Sequence, residues 1–327
     1  MKVAIIGCGV IAHTHIKTAI DCGESVVALC DVDIEKAKAL AKENGLNCHV
    51  YRDYKTMLAN ESVDVVHVCT PHYLHCEMAV YALKKGVNVL LEKPLCISPS
   101  EIDAILSAEA ESKGILGVCF QNRYNLSVLA AKQYLKDKKI AAAHGEVCWN
   151  RGEEYYRSGK WRGKLLTEGG GVLINQAVHT LDLLRVLCGN PTRVTARCEN
   201  WYHKGIIEVE DVVSAVFFGE DEGNFDFFAT TDATADLPAQ ITIKTTDRHV
   251  VIVLPDAAYA DGKILLFDPK KEFIGKSCYG KGHSSLIPDF YDAVKTGRKF
   301  PIDGKEAAKV MRLVFAVYKS NGNEIIL

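Results

Sequence analysis

The chain lacks any Cys-x-x-Cys pair, although it carries twelve cysteines in 327 residues. They are scattered singly, and Cys30, Cys69, Cys119 and Cys148 fall inside apolar, strand-like patterns where a free thiol behaves as a small hydrophobe. This excludes a disulfide framework and points to a reducing compartment, so a cytoplasmic location is expected. No apolar run approaches the ~20 residues of a membrane span, and no secretory leader is read before the first strand-like run, so no membrane partner is expected. An excess of one charge is missing too. With 39 basic against 41 acidic residues there is no electrostatic footprint for nucleic acid, and the run Lys136-Asp137-Lys138-Lys139 reads as a solvated helix end. No Gly-x-Ser-x-Gly elbow signals a nucleophilic hydrolase. His13 with His15, and His72 with His75, come without the cysteine or acidic partners of a zinc site, so no metal is expected. Repeats, low-complexity tracts and flexible linkers are also missing.

What is present is ordinary globular material, 48% hydrophobic and 24% charged, long enough for two domains at ~100–200 residues each. The opening stretch organises it. In Lys2-Val3-Ala4-Ile5-Ile6-Gly7-Cys8-Gly9-Val10-Ile11-Ala12 an apolar strand runs into a glycine pair, and a helical pattern follows at once. The Gly-x-Gly-x-x-Ala spacing matches the dinucleotide-binding fingerprint. Gly7 permits the turn, and Gly9 lacks the Cβ that would keep a pyrophosphate from the backbone. Val10 and Ile11 open the helix whose unpaired N–H groups would face phosphates. A second strand ends at Asp31, an acid placed to accept from ribose hydroxyls and to repel a 2′-phosphate, which favours NAD over NADP. The competing reading is a βαβ unit without cofactor, in which Asp31 caps a helix.

To about residue 120, short apolar runs (Val3–Gly7, Val26–Asp31, Val63–Cys69, Val87–Leu91, Ile115–Cys119 and a weak Cys48–Tyr51) alternate with helical patterns (Ile34–Asn44, Leu74–Lys85, Pro99–Lys113). This predicts βαβ units and a parallel sheet, with ligands beyond the carboxyl ends of the strands. Two such ends carry Thr70-Pro71…His75 and Glu92-Lys93-Pro94. A lysine at the end of a buried strand, stiffened by proline, suits proton transfer or polarisation of a reacting oxygen; it also fits a surface lysine in a loop.

From residue 121 a helix (Leu126–Lys138) and a strand (His144–Arg151) lead to a polar, aromatic loop at 153–164. Strand-like runs follow at Arg193–Asn200, Val212–Phe218, Gly223–Thr231, Ile241–Thr245 and Val250–Leu254, with hairpin turns at 219–223 and 246–248. Helices Ser285–Lys295 and Lys305–Ser320 close the chain. The fold class is therefore α/β: a Rossmann doubly wound parallel sheet over 1–120, then an α+β domain with a large, mostly antiparallel sheet over 121–327. Within Thr167-Glu168-Gly169-Gly170-Gly171-Val172-Leu173-Ile174-Asn175-Gln176-Ala177-Val178-His179-Thr180-Leu181-Asp182, the glycines are expected to let backbone approach a ligand. Asn175, His179 and Asp182 are spaced i, i+4, i+7, one face of a helix. His179 suits a general acid/base. Asp182 either fixes its tautomer or pairs with Arg185.

Taken together, Gly7-x-Gly9-x-x-Ala12, Thr70-Pro71…His75, Glu92-Lys93-Pro94 and Gly-Gly-Gly…His…Asp resemble the glucose–fructose oxidoreductase and inositol dehydrogenase (Gfo/Idh/MocA) family over essentially the whole chain. The resemblance implies NAD(P)-dependent hydride transfer at a carbinol or keto carbon of a sugar, cyclitol or nucleotide sugar. It implies that Lys93 is the active-site lysine and that Thr70, Pro71, His75 and Glu92 surround the nicotinamide half of the cofactor. It places Trp161 and Arg162 near the nicotinamide and its phosphate, and makes Arg123, Tyr155 and Tyr156 candidates for the substrate pocket. It also implies a homodimer or homotetramer through the second sheet. Many members carry aspartate where this chain has Asn175, which carries no proton; Asn175 should then orient the substrate hydroxyl or carbonyl. Two alternatives stand beside the dehydrogenase: an NAD-dependent glycosidase working by transient oxidation, and a non-enzymatic NAD-binding regulator.

Overall fold

The computed structural model describes residues 1–220, 223–268 and 281–327. The chain divides into two compact units, Met1–Gln121 with His283–Ala308, and Asn122–Gly282 with Lys309–Leu327. The segment His283–Ala308, grouped with the second half in the sequence analysis, thus packs with the first.

In the first unit β1 (Lys2–Ile6), α1 (Val10–Asp21), β2 (Ser25–Cys30), α2 (Ile34–Glu43), β3 (His49–Tyr51), α3 (Tyr54–Asn60), β4 (Val65–Val68), α4 (His75–Lys84), β5 (Asn88–Leu91), α5 (Pro99–Glu111) and β6 (Leu116–Val118) follow one another. The sheet is ordered β3-β2-β1-β4-β5-β6 and every recorded pairing is parallel. That is the doubly wound order, whose direction reverses between β1 and β4. All four residues of β4 are buried, as a strand covered on both faces requires. Helix starts are set locally. Asp33 caps α2 by accepting from the Glu35 N–H at 3.2 Å, Asp53 caps α3 by accepting from Thr56 at 2.7 Å, and Ser98 with Glu101 forms a capping box before α5.

The second unit contains α6 (Leu126–Leu135), β7 (Ile140–Cys148), α7 (Glu153–Arg157), α8 (Leu165–Glu168), α9 (Val178–Cys188), β8 (Arg193–Glu199), β9 (Val212–Phe218), β10 (Phe225–Thr230), β11 (Gln240–Thr245), β12 (Val250–Val253), β13 (Ala257–Ala260) and β14 (Lys263–Phe267). The chain ends with α10 (His283–Thr296) of the first unit, α11 (Gly304–Ser320), within which the division falls, and β15 (Glu324–Ile326). Its sheet is ordered β14-β13-β12-β11-β7-β10-β9-β8-β15. It is antiparallel except that β10 runs parallel to β7. In β9 alternate side chains are buried and exposed, the period-2 pattern of a sheet with one face on the core. The turn expected at 246–248 is present, with Arg248 at φ 74; the one expected at 219–223 runs through 221 and 222, outside the described residues.

Candidate active site

The two units are taken separately. In the first, Gly7 ends β1 with φ +90, and a Cβ built on it would lie 2.5 Å from the Cys69 carbonyl oxygen. The turn is therefore closed to any side chain at this position. Gly9 differs. Its backbone is extended (φ −84) and nothing lies within 4 Å of where its Cβ would project. Gly9 caps α1 without a side-chain acceptor, so the first-turn amides of Val10 and Ile11 keep their anion-binding character. Asp31, just past β2, accepts from the Cys8 N–H at 2.8 Å and the Asp33 N–H at 2.9 Å. Open space at the second glycine, uncapped helix amides and a carboxylate at the end of the next strand together fit a dinucleotide.

Beyond β4, Thr70 Oγ1 donates to Met78 Sδ at 3.6 Å, and Pro71 precedes a 3₁₀ turn at His72–Leu74. His75 is fully buried, with Nε2 2.9 Å from the Thr70 carbonyl and Nδ1 2.7 Å from that of Pro94. Burial lowers its pKa, so the neutral ring donates to one of these two carbonyls. The imidazole thus braces the loop after β4 against the loop after β5. The Lys93–Pro94 peptide is cis.

Glu92 is buried, and its Oε1 lies 2.9 Å from both His15 Nε2 of α1 and His283 Nε2 of α10. The chain continues inward, His15 Nδ1 to His67 Nδ1 at 2.9 Å and His67 Nε2 to Tyr291 Oη at 3.0 Å. One assignment of hydrogens satisfies these four contacts: Tyr291 donates to His67, His67 to His15, and His15 and His283 to the carboxylate. Burial lowers the pKa of His15 and drives that of His67 far down. Burial alone would raise Glu92, yet the two histidine hydrogen bonds hold it well below the usual carboxylate range. The premise that His15 has no acidic or thiol partner is corrected here. His15, Glu92, Cys119 and His283 bring donor atoms within 4.8 Å of one another. Their partners are far away in sequence, where spacing rules do not reach.

In the second unit the glycine run does a different job from the one expected. Gly169 ends α8 in the left-handed region, and a Cβ on Gly171 would collide with the Glu210 carbonyl oxygen. The close approach is to the chain's own backbone. Glu210 Oε2 accepts from Gly171 N at 2.8 Å, and Oε1 from Leu173 N and Tyr318 Oη at 3.0 Å each. The uniform helix implied by i, i+4, i+7 spacing is also corrected. Leu173–Ala177 is a π turn and α9 begins only at Val178, so the 3.6-residue period does not run from Asn175 to Asp182.

That turn sends two adjacent amides to one place. Asn175 Nδ2 and Gln176 Nε2 both donate to Tyr155 Oη, at 3.2 and 3.0 Å. Arg162 Nη1 donates to the same oxygen, with its guanidinium carbon 4.3 Å from the Tyr155 ring centroid and 4.6 Å from that of Trp161. Glu168, to which neither spacing nor resemblance gives a role, closes the cluster. Its carboxylate accepts from Asn175 Nδ2 and from the Gly163 N–H. Burial pushes its pKa up to about 7 against the pull of these bonds and of Arg162. Only its place before the glycines could have marked it.

His179 is buried in the first turn of α9. Asp182 is engaged by Arg123, whose Nε and Nη2 reach its two oxygens at 2.6 and 2.5 Å, and lies 3.7 Å from Arg185. Arg123, expected in the substrate pocket, therefore commits two of its nitrogens to a buried ion pair. Tyr156, expected there too, serves the core. It packs with Ile207 and Val209, and its Oη lies 3.0 Å from Thr231 Oγ1.

The first unit has the order and glycine turn of a nucleotide-binding oxidoreductase domain, and comparison with known proteins agrees. Residues 1–120 match the model described as the oxidoreductase family, NAD-binding Rossmann fold, and residues 128–251 match the GFO/IDH/MocA C-terminal domain. The chain belongs to the Gfo/Idh/MocA family. A putative UDP-kanosamine synthase oxidoreductase subunit of Amycolatopsis mediterranei is 34% identical over 164 residues, 50% of this chain and 44% of that protein. D-glucoside 3-dehydrogenase of Escherichia coli is 30% identical over 198 residues, 58% of this chain and 55% of that one. The chain thus spans about half the length of these curated relatives. Among solved structures, the WlbA dehydrogenase of Bordetella pertussis in complex with NADH and UDP-GlcNAcA superimposes with a TM-score of 0.86 at 25% identity, covering 100% of this chain and 98% of that one.

Proposed function

We propose that this chain is an NAD-dependent dehydrogenase acting on a carbinol carbon of a sugar, cyclitol or nucleotide sugar. The observation that carries the reading is the glycine turn, open at Gly9 and bonded through Cys8 to Asp31. In it Asp31 receives the ribose hydroxyls and the amides of Val10 and Ile11 face the pyrophosphate. Thr70, Pro71, His75 and Glu92 shape the nicotinamide end, with Trp161 and Arg162. When bound, the nicotinamide supplies the hydride acceptor or donor. His179 takes or returns the hydroxyl proton, Lys93 stabilises the oxygen where charge develops, and Asn175 orients the substrate. The names of the relatives favour a dehydrogenase over a glycosidase or a regulator. The UDP-sugar ligand of the WlbA dehydrogenase, with the Asn175-Gln176 pair, makes nucleotide sugars the first substrates to try.

Fluorescence titration with NADH and NADPH tests the first part, NADH being expected to bind more tightly; failure of both to bind overturns it. The second is tested by following absorbance at 340 nm with D-glucosides, inositols and UDP-GlcNAcA. Lys93→Ala and His179→Ala are each expected to lose at least ~10²-fold in turnover while still binding NADH, and unchanged turnover in both overturns the assignment.

The proposal extends to assembly. Exposed Val216, Phe218, Ile264 and Phe267 on the strands of the second sheet support a homodimer or homotetramer through it, which light scattering would weigh. Among the described residues no helix is long and apolar enough to cross a membrane, and the described cysteines are free thiols, which supports the cytoplasm as the location.

A further inference from the structure

Four side chains able to bind a metal ion meet in the core of the first unit. His15 comes from α1, Glu92 and Cys119 from the residues just past β5 and β6, and His283 from the start of α10. All four are buried, and one donor atom of each lies within 4.8 Å of the other three. The two imidazoles converge on a single carboxylate oxygen, Glu92 Oε1, at 2.9 Å each, and the Cys119 thiol faces the same group. Tetrahedral zinc, at about 2.0–2.3 Å from nitrogen, oxygen and sulfur, needs donors roughly 3.3–3.8 Å apart. The histidine contacts are a little shorter than that, and the upper bound of 4.8 Å is about 1 Å longer. Side-chain movements of that size complete the shell.

We propose that this cluster is a structural zinc site, with His15 Nε2, Glu92 Oε1, Cys119 Sγ and His283 Nε2 as its four ligands. A thiolate and two imidazoles turn the site away from magnesium and calcium, which take oxygen shells. Carboxylate and thiolate together balance the charge of the ion, so the loaded site is neutral, as a dry core requires. On loading, the Cys119 thiol releases its proton. Each ligating histidine keeps one ring proton, now on Nδ1. That of His15 faces His67 Nδ1 at 2.9 Å, and His67 Nε2 faces Tyr291 Oη at 3.0 Å. These are the outer hydrogen bonds that orient a ligating histidine, running in the reverse sense to the assignment above. Protein fills every position of the shell, so the ion holds structure and takes no substrate. Glu92 Oε2 still accepts the Lys93 N–H at 3.3 Å, and the strand end stays where it is. Local spacing could not show the site, since His15 and Glu92 stand 77 positions apart.

The test uses the full chain, untagged and purified without chelator. Elemental analysis is expected to find about one zinc per chain, and absorption at the zinc K-edge a shell of one sulfur and three nitrogen or oxygen atoms. A chain that holds no zinc and takes up none when Zn²⁺ is added, or a shell of several sulfurs, overturns the proposal. The chain stripped by chelator and given Co²⁺ is expected to show a sulfur-to-cobalt charge-transfer band with the visible bands of a tetrahedral ion. Cys119→Ala is expected to lose the charge-transfer band; its survival puts the ion on another cysteine and overturns the site. His283→Gln tests a second ligand independently. It is expected to weaken zinc by at least ~10²-fold, and unchanged affinity overturns its place in the shell. Added Zn²⁺ is expected to raise the melting temperature of the stripped native chain by at least ~3 °C and to leave that of Cys119→Ala unchanged; equal rises overturn the site. Circular dichroism confirms the fold of each variant, and none of these readouts depends on the dehydrogenase reading.

Discussion

The carboxylate of Asp31 accepts the backbone N–H of Cys8 across 2.8 Å, so the acid after β2 and the glycine turn after β1 are one rigid piece. Its second oxygen holds the Asp33 N–H. Asp31→Ser removes a charged acceptor, and hydrogen bonds to charged groups are worth about 1.5–3 kcal/mol. NADH affinity is expected to fall by roughly 10–100-fold while NADPH affinity changes little, narrowing the preference. Paired fluorescence titrations measure it; an unchanged ratio of the two constants would contradict the role of Asp31.

The two glycines of the turn should fail in different ways. Gly7→Ala places a methyl 2.5 Å from the Cys69 carbonyl at φ +90, which is expected to cost ~2 kcal/mol or more in stability. Gly9→Ala meets open space, so the fold should keep its melting temperature while NADH binding weakens at least ~10-fold. Melting curves and titrations on the two variants separate the effects.

Arg123 and Asp182 form a near-dry pair, their side chains 12% and 1% exposed. Arg123→Ala removes both of these bonds from the carboxylate and leaves Arg185 at 3.7 Å. Removing one partner of a buried pair costs about 3–5 kcal/mol, so a large fall in denaturant midpoint is expected, with NADH affinity unchanged. If stability holds and only substrate KM rises, Arg123 belongs to the pocket after all.

Acid should unfold the first unit in a defined window. His15 and His67 are kept neutral, with folded pKa values below the ordinary 6.5, and Glu92 is kept charged, below its ordinary 4.5. All three bind protons more weakly when folded, so their contribution is complete above about pH 6.5 and lost as pH falls, first through the histidines and then through Glu92. The melting temperature is expected to be flat from pH 8 to 7 and to decline steadily from 6.5 to 4.5. A level profile down to pH 5 would show that the buried chain does not govern stability.

Local signals told most of the fold. The β1 turn and α1, the start of α2 at Ile34, and β9 at Val212–Phe218 were readable because strand alternation, glycine and helical periodicity act over a few positions; the cap of α2 is Asp33, not Asp31. The seven-residue α3 and the short strands β13 and β15 were missed; such elements are decided by what they pack against. The same limit governs the site. Lys93, Asn175 and His179 stood out as residue types in context, but the partners that define their neighbours come from afar, as Arg123 reaches Asp182 across 59 positions. The π turn was invisible because its extra residue per turn leaves the same apolar composition as a regular helix.

His283 and Glu92 share a hydrogen bond across 191 positions, and this sets the order in which the protein can be finished. As the chain leaves the ribosome, the six strands of the nucleotide-binding sheet emerge first, and nearly all of the second unit is made before α10 arrives. Until then Glu92 is a charge within an incomplete core, held by His15 alone of its two histidines. Synthesis of the first unit therefore ends late, and a nascent chain stopped before His283 carries the whole glycine turn without the helix that completes its foundation.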